Sequence, residues 1–166
     1  MITITHAQPG DSEEIAKLSE EMDRFYGAIA LEPTVLRIRQ INEALFGDFP
    51  SAYSLLAWDQ GKLVGLASYS FLWPAVGLTR SLYLKELYVS ATARRKSVGK
   101  LLMQKLYDVA VKNGCSRVEW TTDSDNREAQ LFYAELGIAV NESKLFYRVE
   151  GDELTGQADL QFRDAK

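Results

Sequence analysis

Hydrophobic residues recur along the chain with two spacings, and these spacings predict strands and helices in alternation. Isoleucines at positions 2 and 4 alternate with threonines, which predicts a short first strand. The segment Pro9-Gly10-Asp11-Ser12 predicts a turn and a helix start, with Asp11 or Ser12 as the N-cap. Two helices follow, because hydrophobic residues then stand three and four positions apart. These residues are Ile15, Leu18, Met22 and Phe25 in the first helix and Val35, Ile38, Ile41 and Leu45 in the second.

The remaining sequence predicts five more strands and two more helices. The strands are expected over residues 53–58, 63–71, 82–89, 117–122 and 144–149, and the helices over 98–113 and 127–136. The resulting order, β-α-α-β-β-β-α-β-α-β, mixes hairpin-linked strands with helical crossovers. It predicts an α/β fold, in which one mixed sheet carries helices on both faces, as a single domain over residues 1–150. Residues 151–166 are expected to form a polar tail or an edge extension.

Composition narrows the classes of function. The chain is 46% hydrophobic and 25% charged, which is ordinary for a soluble globular protein. Its net charge of −4 disfavours general binding to nucleic acid. Cys115 and His6 are the only residues of their kinds, which excludes an internal disulfide, a cysteine-rich metal site and a zinc site built on several histidines. We therefore expect no nucleic-acid partner and no bound metal.

The N-terminal segment and the hydropathy of the chain bear on its location. Residues 1–15 have neither the basic start nor the apolar centre of a secretory signal. No hydrophobic run approaches the roughly 20 residues that a membrane-spanning helix needs. We therefore expect a cytoplasmic protein with no membrane partner.

The junction between the central strand and the helix after it carries candidate chemistry. Small residues at 90–93 lead into the basic cluster Arg94-Arg95-Lys96, and a helix begins near Val98. The first N–H groups of a helix have no internal partner and lie at the positive end of the helix dipole. With the basic side chains they predict a turn that binds phosphate. A P-loop does not fit, because Gly99-Lys100 is followed by leucine and no glycine stands five residues earlier.

This turn resembles the acyl-CoA pyrophosphate loop of the GNAT N-acetyltransferase superfamily, whose pattern is Gln/Arg-x-x-Gly-x-Gly/Ala. Here the pattern reads Arg94-Arg95-Lys96-Ser97-Val98-Gly99, and Lys100 follows. The resemblance implies that these residues bind acetyl-CoA. Ser97 departs from the pattern, because it replaces the first glycine. A left-handed backbone there would cost a serine roughly 1–2 kcal/mol. With a helical backbone, the hydroxyl of Ser97 could instead cap the helix or contact a phosphate oxygen.

A second segment carries the more specific signal. It resembles the recurrent GNAT pattern Asn-x-x-Ala-x-x-Phe-Tyr-x-x-x-Gly, with matches at Asn126, Ala129, Phe132, Tyr133 and Gly137. The resemblance implies that Asn126 contacts the pantetheine arm and that Ala129 lets the cofactor pass close to the helix. It also places the hydroxyl of Tyr133 near the thioester sulfur, where it would protonate or orient the departing thiolate. The alternative is that Phe132 and Tyr133 are only core aromatics of an amphipathic helix.

The same resemblance assigns roles to the central strand. Leu87 lies where strand backbone pairs with pantetheine, and Val89 lies where a backbone N–H polarises the thioester carbonyl. Glu86 is the candidate general base for the amine, directly or through a water molecule. Its alternative role is a salt bridge or a solvated strand end. With Glu86 as the base, the acetyl group would pass directly from acetyl-CoA to a primary amine in a ternary complex.

The acceptor amine is less well defined. Within the superfamily the chain looks most like the diamine (spermidine/spermine) acetyltransferases. The residues that carry this likeness are 65–71, 82–84 and 132–133. That group has Tyr-Leu-Glu-Asp where this chain has Tyr83-Leu84-Lys85-Glu86, and a lysine there would repel a polyamine. The first two helices form one wall of the acceptor site in this superfamily, so Tyr26 and Glu32 are candidate substrate contacts together with Glu86.

Three functions remain open at this point. The first is a small-amine N-acetyltransferase, which the six acids and one lysine in residues 11–23 favour weakly, since they would attract a cation. The second is an acyl-CoA-binding sensor without catalysis, which Ser97 and Lys85 keep open. The third is a protein lysine or N-terminal acetyltransferase, which needs an open groove for a peptide. Dimers are common in the superfamily, so a homodimer is also an option, and residues 151–166 could serve it.

Overall fold

The computed structural model describes residues 1–158. The chain divides into two compact units, Met1–Asp125 and Asn126–Lys166. The strands of the first unit are β1 (Ile2–His6), β2 (Tyr53–Asp59), β3 (Lys62–Leu72), β4 (Arg80–Val89) and β5 (Cys115–Glu119). Its α-helices are α1 (Ser12–Phe25), α2 (Thr34–Phe46) and α3 (Val98–Lys112). The strands and helices predicted for this unit are confirmed, although β5 begins and ends earlier than residues 117–122.

The five strands form one sheet in the order β1-β2-β3-β4-β5. Strands β1 to β4 are antiparallel neighbours, and β5 runs parallel to β4. A parallel pair needs a crossover connection, which α3 supplies. The predicted mixed sheet is therefore confirmed. In the part of the chain that the structure describes, β5 pairs only with Arg80–Tyr83, so the later half of β4 has no strand on that side.

Helices α1 and α2 cover one face of the sheet. Hydrophobic residues three and four positions apart on α1 face the strands and form a buried cluster with them. The cluster consists of Ile15, Leu18, Leu56, Leu63, Leu66 and Tyr88. Ile41 and Leu45 of α2 pack against this cluster, as their spacing predicts. Val35 was expected on the same side of α2, but it lies in the first helical turn and is exposed.

Helix α3 covers the opposite face, so the prediction of helices on both faces is confirmed. Gly65 precedes Leu66 on β3 and therefore points away from α1, since successive strand residues alternate. A Cβ atom on Gly65 would stand 3.1 Å from Val98 Cγ1 and 3.2 Å from Leu102 Cδ1 of α3. The absence of a side chain at Gly65 is what allows this close approach of helix and sheet.

A β-bulge at Lys85 changes which face the side chains of β4 point to. The pairs on either side of it are Tyr69 with Leu84 and Ser68 with Glu86. An extra residue resets the alternation of side chains along a strand. Glu86 lies two residues from Tyr88, which belongs to the cluster under α1, so Glu86 also faces α1. Leu84, beyond the bulge, shares the face of its partner Tyr69 and hence that of Gly65, which α3 covers.

The second unit begins with the predicted helix, here α4 (Arg127–Glu135). Asn126 is its N-cap, and Gly137 follows its end with a φ of +77°, a value that glycine adopts without strain. The strand predicted over residues 144–149 is wrong. These residues pair with no strand in the described part of the chain, and their hydrophobic side chains are exposed. An apolar run forms a strand only where a neighbour accepts and donates its backbone hydrogen bonds.

Residues 151–158 form a further helix, α5 (Gly151–Ala158), where the sequence predicted a polar tail or an edge extension. Asp152 and Glu153 lie in its first turn, where the helix dipole favours negative charge. Residues 159–166, the rest of that predicted tail, lie outside the described residues. Among residues 1–158, no helix combines the length and the apolar composition needed to cross a membrane.

Candidate active site

Glu86 is a partly buried carboxylate on the α1 face of β4. Its Oε1 accepts a hydrogen bond, 3.4 Å long, from the hydroxyl of Tyr26, the residue that follows α1. Burial raises the pKa of Glu86, and the negative charge of Asp123 raises it further. The bonds from Tyr26 and the Leu87 N–H, and the charge of Lys85, act in the opposite direction. A carboxyl group with a raised pKa is a stronger proton acceptor, which suits general base catalysis.

Arg94 lies between the end of β4 and the end of α1. Its guanidinium carbon is 4.4 Å from the centroid of the Phe25 ring, a cation–π contact. Its Nε donates a hydrogen bond to the carbonyl oxygen of Val89 at 3.3 Å. Arg94 is partly buried, whereas Arg95 and Lys96 are exposed. The basic cluster is therefore divided, since Arg94 anchors the turn while Arg95 and Lys96 extend into solvent.

The basic turn ends at the N-terminus of α3. Ser97 has a left-handed backbone, with φ 61° and ψ 11°, and its side chain makes no capping hydrogen bond. Of the two alternatives given for Ser97, the strained left-handed backbone is therefore the observed one. The N–H groups of Val98, Gly99 and Lys100 occupy the first helical turn, where no intrahelical acceptor is available. No acidic residue lies in that turn, so the helix dipole favours an anion there.

Leu87 and Val89 lie on the part of β4 directly before this turn. On one side they are opposite Ala67 and Gly65 of β3. On the other side, as described above, no strand of residues 1–158 pairs with this part of β4. An uncovered strand edge can pair with an extended ligand through its backbone groups. This strand edge and the turn of residues 94–97, which we call the anion-binding turn because an anion is favoured there, are thus consecutive along the chain.

A cleft of about 530 Å³ opens beside the last turn of α1 and the loop after it. Asp23, Tyr26 and Glu32 line it. Arg37 of α2 binds both acids, with 2.6 Å from Nη2 to Asp23 Oδ2 and 3.2 Å from Nη1 to Glu32 Oε2. Two carboxylates and one guanidinium leave this group of residues with a net negative charge. Such a cleft attracts a cationic ligand.

Four charged residues around the site were not proposed as site residues from the sequence: Glu21, Asp23, Arg37 and Asp123. A signal for Glu21 does exist, because it stands three residues after Leu18 and four before Phe25. An acid at that spacing interrupts the apolar face of α1, where only a polar partner would justify it. No local pattern marks Asp123, or the pairing of Arg37 with Asp23, since these contacts arise from the packing of separate segments.

In the second unit, Tyr133 lies on α4 and Asn126 is the residue directly before this helix. The Asn126 Oδ1 accepts a hydrogen bond from the Ala129 N–H at 3.1 Å, so the asparagine caps the helix. The rings of Phe132 and Tyr133 contact each other edge to face, with centroids 5.2 Å apart. The roles of Asn126, Ala129 and Tyr133 toward a cofactor stay predictions.

Comparisons with known proteins identify the family of this chain. The sequence profile of the acetyltransferase (GNAT) family matches residues 15–138. The chain is 29% identical over 156 residues to the D-amino-acid N-acetyltransferase HPA3 of Saccharomyces cerevisiae, which covers 90% of this chain and 91% of that protein. It is 28% identical over 172 residues to the thialysine N-epsilon-acetyltransferase of Mus musculus, covering 93% and 97%. A solved structure of an integron cassette protein from the V. cholerae mobile metagenome superposes with a TM-score of 0.89 at 27% identity, covering 96% of this chain and 98% of that one.

Proposed function

This chain belongs to the acetyltransferase (GNAT) family and is an acetyl-CoA-dependent N-acetyltransferase, and we propose that it acetylates the primary amine of a small molecule by direct transfer in a ternary complex. The observation that carries the proposal is the position of Glu86. This carboxylate is bonded to Tyr26 at the cleft, and its own strand leads into the anion-binding turn. In this proposal, Glu86 accepts a proton between the cleft, which would hold the cationic amine, and the turn, which would hold the phosphate.

On the cofactor side, the end of β4 and the turn after it fit acetyl-CoA. The uncovered strand edge suits the extended pantetheine arm, with the backbone of Leu87 pairing with it. The Val89 N–H would polarise the thioester carbonyl, as donors of an oxyanion site do. The exposed basic side chains and the first N–H groups of α3 suit the pyrophosphate. The residues concerned are Arg94, Arg95, Lys96, Ser97, Val98, Gly99 and Lys100.

On the acceptor side, the amine must lose a proton before it reacts. A lysine-like amine has a pKa of ~10.4, so its free base at pH 7 costs about 4.6 kcal/mol, from 1.36 kcal/mol per pKa unit. Glu86 accepts this proton, directly or through one water molecule. The amine nitrogen then bonds to the thioester carbonyl carbon, the carbon–sulfur bond breaks, and the thiolate leaves. By the family motif, the Tyr133 hydroxyl gives the thiolate its proton, and the second proton that the attacking nitrogen loses passes through solvent and restores this hydroxyl.

We propose a small cation as the acceptor. The negative charges of Asp23, Glu32 and Asp123 support this class, because they would attract an ammonium group. The two named relatives act, by their names, on D-amino acids and on thialysine. Lys85 is exposed and adjacent to Glu86, where its charge opposes a second ammonium group. Polyamines are therefore weaker candidates than amino acids for this chain.

Release of free thiol from acetyl-CoA tests the proposal. Spermidine, lysine, an aminoglycoside and a basic peptide are compared with a blank that contains no amine. The ternary complex predicts intersecting lines in double-reciprocal plots, and parallel lines would contradict direct transfer. Binding of CoA without turnover of any amine would favour the sensor alternative. Turnover of the peptide alone would favour a protein acetyltransferase.

We also propose that the acetyltransferase domain spans residues 1–150 and that the chain forms a homodimer. Leu145, Phe146 and Tyr147 support the homodimer, because large apolar side chains grouped on a surface mark interaction sites. Light scattering coupled to gel filtration measures the mass in solution, and a monomer at micromolar concentration would contradict the homodimer. The cytoplasmic location stays a prediction from the sequence.

A further inference from the structure

The Glu21 carboxylate of α1 accepts three hydrogen bonds from the segment that ends β4. Its Oε1 accepts from the Tyr88 hydroxyl at 3.0 Å and from the Ala91 N–H at 3.1 Å. Its Oε2 accepts from the Ser90 hydroxyl at 3.1 Å. Tyr88 and Ser90 are 3% and 2% exposed. One carboxylate therefore joins α1 to three residues around the end of a central strand.

Other acids of α1 are engaged differently. Glu14 and Glu20 form ion pairs with Lys17 and Arg24 along the helix surface. Exposed pairs of this kind contribute little to stability. Burial alone would raise the pKa of Glu21, but the hydrogen bonds from Ser90, Ala91 and Tyr88 outweigh burial and lower it. Glu21 is therefore charged at neutral pH, and each of its three hydrogen bonds is charge-assisted.

The residues bound to Glu21 stand between the strand edge and the anion-binding turn. The Ser90 N–H donates to the Val64 carbonyl at 2.9 Å, and the Ser90 carbonyl accepts from the Ala93 N–H at 2.9 Å. Val89 precedes this short turn, and Arg94 follows it. A displacement of Ser90 would therefore move the proposed thioester contact on one side and the proposed phosphate contacts on the other.

We propose that Glu21 is a positioning residue. Its hydrogen bonds fix where the anion-binding turn leaves β4, relative to the cleft at the end of α1. Its effect on acetyl transfer rests on the proposed function, whereas its effect on the turn does not. Tyr26, the residue after α1, lies five residues after Glu21, so the helix that bonds to the start of the turn also leads into the cleft. The amine and the thioester must be closely aligned, because a misplacement of ~1 Å can cost about 10²-fold in rate.

Two substitutions of Glu21 separate positioning from charge. Glu21→Ala removes all three acceptor contacts. Glu21→Gln keeps the shape, since its amide oxygen can accept from Tyr88 and Ala91 while its NH₂ donates to the Ser90 hydroxyl. Glu20→Ala, one residue away, removes the same charge from the helix surface and serves as the matched control.

The first measurement is the dissociation constant of CoA by calorimetry, with KM and kcat alongside. We expect Glu21→Ala to weaken CoA binding about tenfold, the equivalent of about 1.4 kcal/mol. Its kcat should also fall, because the hydrogen bonds that hold the turn in place relative to the cleft are lost. Glu21→Gln should restore both quantities, and Glu20→Ala should leave both unchanged.

The second measurement needs neither ligand nor activity. Limited trypsin digestion of the folded protein cuts after Arg94, Arg95 and Lys96 faster the more often the turn opens, because cleavage needs locally unfolded backbone. Mass spectrometry identifies the peptides that begin at the residues after these sites. We expect faster cleavage at the turn in Glu21→Ala and an unchanged rate after Arg39, which is exposed on α2.

Equal CoA affinity and equal cleavage in Glu21→Ala and the unsubstituted protein would overturn the inference. Tighter CoA binding in both Glu21 variants would also overturn it, since the carboxylate would then act by repelling phosphate. If the unsubstituted protein binds no CoA while Glu21→Ala still opens the turn, the proposed function fails and the positioning role stands. If circular dichroism shows that Glu21→Ala does not fold, Ser90→Ala removes one donor, and unchanged affinity and cleavage there would be equally decisive against the role.

Discussion

The Tyr26 hydroxyl donates a hydrogen bond to Oε1 of Glu86 across 3.4 Å, and this contact joins the end of α1 to β4. Burial opposes the charged form of Glu86, and the bond from Tyr26 favours it. Removing the tyrosine hydroxyl should therefore raise the pKa of Glu86, because less then offsets the effect of burial. Because only the charged carboxylate can take a proton from an amine, the pH dependence of acetylation reports this balance.

Glu86→Gln should lower kcat about 10²–10⁴-fold, the range lost with a general base. It should also remove the decline in kcat/KM at acid pH, which we expect as pH falls through the raised pKa of Glu86. Tyr26→Phe should retain activity and move this decline to higher pH, since the pKa of Glu86 then rises further. Rates of thiol release across the pH range measure both effects. An unchanged profile in Glu86→Gln would remove Glu86 from the role of base.

Arg94 and Arg95 should differ in what they contribute. Arg95→Ala should weaken CoA binding and leave the melting temperature unchanged, because Arg95 is exposed. Arg94→Ala should weaken binding and also lower stability by about 0.5–1 kcal/mol, since the contact with Phe25 is lost. Both losses of affinity should shrink as salt rises. Calorimetry at two salt concentrations and thermal melts test this, with exposed Arg39→Ala as the control. Unaltered affinity in both variants would place the phosphate site elsewhere.

Ser97→Gly should stabilise the protein by about 0.5–1 kcal/mol. The left-handed backbone costs a serine roughly 1–2 kcal/mol, and the greater entropy of glycine in the unfolded chain offsets part of that gain. Urea unfolding measures the difference. Ser97→Ala is the matched control, because it removes the hydroxyl and keeps the strained backbone. A gain in Ser97→Ala equal to that in Ser97→Gly would show that the hydroxyl, and not the backbone, is responsible.

Gly65→Ala should destabilise the protein by about 1–3 kcal/mol, the usual cost of an overpacked core. The new Cβ would stand 3.1 Å from Val98 Cγ1, so α3 would have to move away from the sheet. Because α3 begins at the anion-binding turn, CoA affinity should fall as well. Urea unfolding and calorimetry test both effects. Gly10→Ala, where a Cβ meets nothing within 4 Å, is the control and should change neither.

Tyr133→Phe should lower kcat about 10²-fold and leave CoA binding nearly unchanged. The substitution removes the hydroxyl that would protonate the thiolate and keeps the ring that contacts Phe132. Tyr147→Phe is the matched control in the same unit, since Tyr147 is exposed. Steady-state kinetics and calorimetry separate the two effects. Equal turnover in Tyr133→Phe and the unsubstituted enzyme would exclude the acid role.

Periodicity predicted the strands and helices of the first unit, and motif spacing named the residues of its candidate site. The spacing of Ile15 and Leu18 placed α1 against the sheet, and the turn at Arg94 was identified from the residue types alone. Ser97 shows the limit of this reasoning, because a sequence states the residue but not its φ. The two alternatives for its backbone became one only when the structure showed the left-handed conformation.

The errors and omissions concern contacts between distant segments. Residues 144–149 have the composition of a strand, but a strand also needs a neighbour, which a local pattern does not contain. The clamp of Arg37 on Asp23 and Glu32 depends in the same way on how α2 packs beside α1. Glu21 could have been found from its place on the apolar face of α1, whereas its partners at the end of β4 could not.

Because of the bulge at Lys85, the even-numbered residues of β4 point to one face of the sheet before it and to the other face after it. Before it, Leu82 and Leu84 face α3, and after it Glu86 and Tyr88 face α1. A substitution at Glu86 therefore does not alter the packing beneath α3, which lies on the other face of the sheet. Straightening the strand with Lys85 retained would bring Glu86 into phase with Leu84 and turn the carboxylate toward α3, whereas deleting Lys85 would leave Glu86 on the α1 face.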